Sequence, residues 1–305
     1  MKTPPQTGTN TVKSTCLTVE GVQVEEVQAK AIFVKSSLPD TDYVANPYGG
    51  CLFGCTYCYA SFMGRFQARG VESWGNYLQA KVNAGVLARA QLAGWIRRGY
   101  RPSVLLSSVT DPYQFAEKRY RLSRSILEAF VAADYRGTVG ILTKSPLVLR
   151  DIDLLQSLAH VEVGMTITTD QDHVSRILEV RAPSVSSRLQ ALATLHKRGI
   201  NTYAFVGPLL PEYLRNPSQL DILFMAIAAA GVRSIYVERL NLSPYISARV
   251  GRASSKARDL LQSSESVASA GDLDEVLKRC GLSLRLGRVI EHANRSTPQA
   301  PEWNA

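Results

Sequence analysis

The amino-acid sequence predicts an α/β chain built as a partial (β/α)6 barrel of the TIM type, with short N- and C-terminal extensions. Three observations carry that expectation. Six short apolar runs alternate with helix-length segments between residues 43 and 240. These runs are mostly continuous rather than alternating, as parallel strands covered on both faces should be. The chain has 305 residues, 45% of them hydrophobic, which is ample for one large core. The expected divisions are an N-terminal extension over 1–42, the barrel over 43–240 and a C-terminal extension over 241–305.

Residues 1 to about 40 begin polar and rich in Pro, Thr, Ser and Gln, and read as a flexible tip that includes a free Cys16. Val22–Val27 and Ala31–Val34 follow as short strands. The barrel rhythm opens with Tyr43–Ala45. A helix is expected between Trp74 and Ile96, with Leu78, Val82, Val86, Leu87, Ala90 and Ile96 at helical spacing. Val104–Leu106 is the second strand and Ser123–Phe130 the next helix. Val139–Leu142 and Val161–Thr166 are strands separated by a helix over Asp151–Leu158. Ser186–Arg198 is a helix with Gly199 as its stop. Ala204–Val206, the helix Leu220–Ala230 and Ser234–Val237 complete the set. Beyond Leu240 come a basic run with Arg249, Arg252, Lys256 and Arg258, then an amphipathic helix from Asp272 to Lys278 that ends near Cys280.

Three of the five cysteines, Cys51, Cys55 and Cys58, fall within eight residues. The Cys-x3-Cys-x2-Cys spacing puts three thiolates on one loop, with the reach to grip one face of a cubane iron–sulfur cluster. A closed zinc site needs four protein ligands, and no fourth Cys or His lies near this trio. One coordination position is therefore expected to be left for a substrate or cofactor. His160, His173, His196 and His292 are scattered singly and carry no ligand spacing.

In a barrel the active site collects where strands end. After the second strand stand Ser107, Ser108, Thr110 and Asp111; after the third, Thr143 and Lys144; the fourth runs into Thr166, Ile167 and Thr168. Lys144 is placed to pair with a carboxylate by a charge-assisted bond.

The cysteine motif, with an aromatic before the third cysteine, resembles that of the radical S-adenosylmethionine (SAM) superfamily. Over residues 46 to 235 the chain further resembles the spore photoproduct lyase family, through Asn46-Pro47-Tyr48, Tyr57-Cys58-Tyr59, Thr110-Asp111-Pro112-Tyr113-Gln114 with Glu117, Leu142-Thr143-Lys144, and Ile177-Leu178-Glu179 with Pro183 and Arg188. The resemblance implies a [4Fe–4S] cluster on Cys51, Cys55 and Cys58 and SAM on the vacant iron. It also implies reductive cleavage to a 5′-deoxyadenosyl radical and hydrogen abstraction from a substrate C–H bond. Thr110, Asp111, Lys144, Thr166 and Thr168 are the implied SAM-binding positions, and Tyr57 and Tyr59 the implied catalytic tyrosines. A reductant such as flavodoxin or ferredoxin is the implied partner. One departure stands out: where the lyases place their hydrogen-donor cysteine, this sequence has Ser108. Dimer repair is therefore not expected, because a serine O–H bond is far too strong to serve as that donor.

The net charge of +9 fits a nucleic-acid or nucleoside substrate, with Arg65, Arg69 and the basic run after 246 as candidate phosphate contacts. Two other readings stay open: a biosynthetic enzyme acting on a small natural product, and a non-catalytic nucleic-acid-binding protein stabilised by zinc or an iron–sulfur cluster. The start of the chain has no apolar signal core, no apolar run approaches membrane-spanning length, and the odd cysteine count argues against a disulfide framework, so the expected compartment is the cytoplasm.

Overall fold

The computed structural model describes residues 17–262 and 270–291. Cys16, His292 and the N-terminal tip lie outside the described residues. Twelve strands occur among those described: β1 Leu17–Val19, β2 Val22–Val27, β3 Phe33–Lys35, β4 Tyr43–Ala45, β5 Tyr48–Gly49, β6 Leu78–Lys81, β7 Val104–Leu106, β8 Val139–Thr143, β9 Val161–Thr166, β10 Asn201–Leu209, β11 Ser234–Arg239 and β12 Ser283–Leu284.

The main sheet has the order β12-β11-β10-β9-β8-β7-β4-β3. Every pair from β4 to β12 is parallel, and only the outer hairpin β3–β4 is antiparallel. All six expected barrel strands are present, as β4 and β7 to β11. Helices Ala84–Arg97, Leu122–Ala132, Ile152–Ser157, Val185–Lys197 and Pro217–Ala229 fill the connections. The sheet is open, as a partial barrel must be, and one side-chain contact crosses the opening. Tyr236 of β11 donates its hydroxyl to Asp40 in the loop between β3 and β4. Beside it the backbone of Ile290 bonds to Val237 and Arg239, which carries the C-terminal segment along β11.

A second, small sheet of order β1-β2-β6-β5 flanks the cysteine loop. It corrects one expectation, since Leu78 and Val82 do not belong to a helix. Leu78–Lys81 pairs with both β2 and β5, and its burial alternates with Leu78 and Ala80 inside. The following helix, Ala84–Arg97, buries Ala84, Ala88, Leu92 and Trp95, whereas Val86 is exposed. Small residues win that face because the helix packs closely on Leu122–Ala132: a Cβ on Gly85 would stand 2.8 Å from the Ser125 hydroxyl. Phe33 stacks on Trp95 at 5.0 Å and meets Phe130 at 5.3 Å, which fixes the β3 edge against both helices. Among the described residues no helix is long and apolar enough to cross a membrane.

Candidate active site

The loop carrying the three cysteines runs between β5 and a 3-10 segment, Tyr59–Gln67. It turns at Gly50 and Gly54, both at positive φ (+90° and +65°), and a Cβ on Gly50 would sit 2.6 Å from the Tyr77 carbonyl. An irregular loop buried at a sheet end needs partners for its backbone groups, and three elements supply them. Gln114 accepts from Leu52 N at 2.9 Å and donates to the Gly50 carbonyl at 3.2 Å, where Thr110 Oγ1 also donates at 2.5 Å. From the other side Leu178 O accepts from Thr56 N at 2.8 Å, and Arg181 N donates to Phe53 O at 3.2 Å. Arg249, on the helix Pro244–Arg252, donates to the carbonyls of Cys55 and Val71 at 3.2 and 2.6 Å, and to that of Thr56 at 3.5 Å.

The three cysteines line one cavity of about 600 Å³ that runs from the C-terminal ends of the barrel strands into the interior of the sheet. Burial raises all three thiols above their ordinary range; Cys55 is pushed up to about 12, with the Lys144 charge opposing the rise. Among the described residues no three Cys, His, Asp or Glu side chains converge as ligands of a single ion would. Three cysteines with no fourth Cys or His beside them in the sequence are the donor set of a cluster with one open position rather than of a closed zinc site. The buried Ser107 Oγ and Trp74 Nε1 also belong to residues lining the cavity, and neither has a hydrogen-bond partner among the described residues. Ser107 sits at φ +70°, an uncommon conformation for a residue with a side chain. Orphaned buried polar atoms in residues that border a cavity suit a polar ligand close by. These residues fit a cluster with a bound cofactor.

Around the sulfurs the same cavity takes in Tyr57, Tyr59, Ser108, Thr110, Asp111, Lys144 and Thr166. Thr168 is absent from its walls; it is buried behind and donates to Glu179 at 3.2 Å. Asp111 is occupied as a brace, accepting from Thr143 Oγ1 (2.6 Å), Lys144 N (2.7 Å) and Tyr113 N (2.9 Å). It thus sets where Lys144 leaves β8. The Thr110 hydroxyl serves the Gly50 carbonyl in the same way. The Tyr57 hydroxyl donates to Glu179, and that of Tyr59 donates to the Ser108 carbonyl.

Glu179 is the electrostatic centre of this wall. It is fully buried, pairs with the equally buried Arg188, lies 3.6 Å from Lys144 Nζ, and accepts from Tyr57, Thr168 and Ser175. Burial alone would raise its carboxyl, but the charges of Arg188 and Lys144 overcome this and hold it at about 2. Lys144 also stands 5.9 Å from the centre of the Tyr57 ring. An anionic group entering the cavity would meet Lys144 only partly neutralised, since Glu179 spends its strongest contact on Arg188.

Sequence reasoning quoted several of these residues without giving them tasks. Asn46 accepts from Ser108 N and Val109 N at 3.0 and 3.2 Å, which pins the loop after β7. Tyr48 donates to Glu117 at 2.5 Å, and Glu117 pairs with Arg150 at 2.8 Å. The motif order held the signal, but the partners lie far apart in the chain. Of the candidate phosphate contacts, Arg258 donates to the Gly251 and Ala253 carbonyls, Arg252 is 3.7 Å from Glu72, Arg65 stacks on Phe62 and Phe66, and Arg69 stacks on Tyr77. Arg249 is committed to the cysteine loop. Cys280 ends the helix Ala270–Arg279 and does not line the cavity.

An open parallel sheet with a tri-cysteine loop above a cofactor-sized cavity defines a cluster-dependent enzyme domain. The Radical SAM superfamily pattern matches residues 45–216, and the chain belongs to that superfamily, whose cofactors are a [4Fe–4S] cluster and SAM. An uncharacterised protein of Methanocaldococcus jannaschii is 35% identical over 193 residues, covering 63% of this chain and 70% of that one. An uncharacterised protein of Mycobacterium tuberculosis is 30% identical over 73% of this chain and 66% of its own length. The protein named radical SAM Nα-GlyT isomerase of Pseudomonas phage M6 is 27% identical over 64% of this chain and 38% of its own. The structure of spore photoproduct lyase complexed with dinucleoside spore photoproduct shares the fold, with a TM-score of 0.61, 17% identity and coverage of 86% and 81% of the two chains.

Proposed function

We propose that the protein abstracts hydrogen from a C–H bond of a nucleoside or nucleic-acid substrate, with Cys51, Cys55 and Cys58 holding the cluster. When bound, the cluster supplies the electron that cleaves SAM to a 5′-deoxyadenosyl radical. The chain's own residues do the rest. Lys144 offers its charge to the SAM carboxylate, while Asp111 fixes the backbone from which Lys144 projects. Ser107 and Thr166 offer hydroxyls at the ends of β7 and β9, on either side of β8, and Phe53, Trp74 and Ile246 exclude water from the sulfurs. Tyr59, half exposed at the mouth, is the candidate for relaying hydrogen or radical character to the substrate.

The observation that carries this reading is the convergence of Cys51, Cys55, Cys58 and Lys144 on one cavity. A nucleoside-type substrate is supported by the net charge and by the aromatic walls Phe205 and Tyr236. No thiol apart from the three cluster cysteines lines the cavity among the described residues. That favours an isomerisation or abstraction without a protein thiol donor over dimer repair.

The test is anaerobic reconstitution with iron and sulfide, then dithionite and SAM, with 5′-deoxyadenosine followed by mass spectrometry. Its formation in wild type and loss in Cys55→Ala is the expected result. Equal formation by the two proteins would sink the reading.

A further inference from the structure

Arg249 lies outside the stretch that matches the superfamily and reaches the cysteine loop without lining the cavity. Its three bonds all go to main-chain carbonyls, two of them on the loop itself. None goes to a carboxylate, so among the described residues no hydrogen-bonded ion pair cancels the guanidinium charge. Glu72, an acid whose charge it feels, is engaged with Arg252. The Arg249 charge also reaches the sulfurs of Cys55 and Cys58. Lys144 acts on those two sulfurs as well, but it stands beside Glu179.

A group bearing three thiolates becomes more negative when it takes up an electron. A fixed cation nearby stabilises that reduced form, and hydrogen bonds and local charge are known levers on cluster potentials. The guanidinium fork supplies both the charge and the geometry, because it ties the carbonyls of Cys55 and Thr56 to one rigid planar group.

We propose that Arg249 is a positioning residue that fixes the cysteine loop and holds a positive charge, bonded to carbonyls and to no carboxylate among the described residues, beside the cluster, so raising its reduction potential. The inference rests on the assignment of the cluster to Cys51, Cys55 and Cys58. It makes residues beyond 216 part of the redox centre without their touching substrate.

The experiment compares full-length wild type, Arg249→Gln and Arg249→Lys, each reconstituted anaerobically, by EPR-monitored redox titration without SAM and by iron and sulfide analysis. Arg249→Gln should lower the midpoint by about a tenfold change in the ratio of oxidised to reduced cluster, about 59 mV for a one-electron couple. Arg249→Lys keeps the charge and should stay nearer to wild type. One common midpoint for all three proteins, or an equal shift in both variants, overturns the proposal; the second pattern would report loop geometry alone. Where Arg249→Gln does not retain iron, Glu72→Gln carries the test: losing a negative charge beside Arg249 should raise the midpoint, and an unchanged value overturns the proposal. Failure of wild type to take up iron, or a full cluster in Cys55→Ala, would instead refute the ligand assignment beneath it.

Discussion

Arg188 and Glu179 form an ion pair with both side chains fully buried, and Glu179 of that pair holds the hydroxyl of Tyr57, which directly precedes the third cysteine of the loop. Removing one partner of such a pair strands the other charge in a dry interior, at a cost of about 3–5 kcal/mol. Arg188→Leu and Glu179→Gln should each lower the thermal midpoint by on the order of 10 °C, read by circular dichroism. The double variant should recover part of the loss; strictly additive losses would show that the two side chains are not coupled.

The same carboxylate sets an acid limit. Glu179 is held at about 2 in the fold, against about 4.3 for a free side chain. Its contribution is therefore fully present above about pH 4.3 and is lost as the pH falls towards 2. Asp111 and Glu117 are shifted upward by burial and act in the opposite sense. The check is thus the difference in unfolding free energy between wild type and Glu179→Gln, measured by urea titration, which should shrink from pH 5 to pH 2.5.

Gln114 meets the cysteine loop at both a donor and an acceptor. Gln114→Leu leaves Leu52 N without its partner, an expected cost of about 1–3 kcal/mol. The far-UV spectrum should be unchanged, and iron content after reconstitution should fall to less than half that of wild type.

Lys144→Met removes a cation and keeps much of the side-chain volume. SAM affinity of the reconstituted protein, by equilibrium dialysis, should drop about tenfold or more with the iron content intact. Asp111→Asn should lower it by a smaller factor, because it disturbs the backbone from which Lys144 projects. Unchanged affinity in Lys144→Met would remove Lys144 from the cofactor site.

Ser108→Cys places a thiol where the wild type has a hydroxyl on the cavity wall. During cleavage of SAM in D2O without substrate, that variant should give 5′-deoxyadenosine with at least severalfold more deuterium than wild type, read by mass spectrometry. Equal labelling would mean that residue 108 does not face the reacting carbon.

Much of this architecture was legible because its signals are local. β8 and β9 announce themselves by unbroken apolar runs, and the three cysteines by their spacing alone. β6 was misread because Leu78 and Val82 happen to continue the period of the helix behind them, while what makes Leu78–Lys81 a strand is its pairing with β2 some fifty residues earlier. The site divides in the same way. Cys51, Cys55, Cys58 and Lys144 were visible as residue types at strand ends. The tasks of Glu179 and Asp111 were not: the Tyr57–Glu179 bond spans 122 positions, and a carboxylate that braces a loop looks in sequence like one that binds a ligand.

The parallel pairing of β10 with β11, and of β11 with β12, has a practical consequence for anyone trimming the chain. The stretch that matches the superfamily stops at residue 216, after β10 but before the strands that cover its outer side. A fragment cut there would expose the whole hydrogen-bonding edge of β10, with Ala204, Val206 and Leu209 now uncovered beside it. Such an edge invites pairing with another copy. The stretch ending at residue 216 should therefore aggregate when expressed alone, and a fragment that keeps β11 and β12 should not.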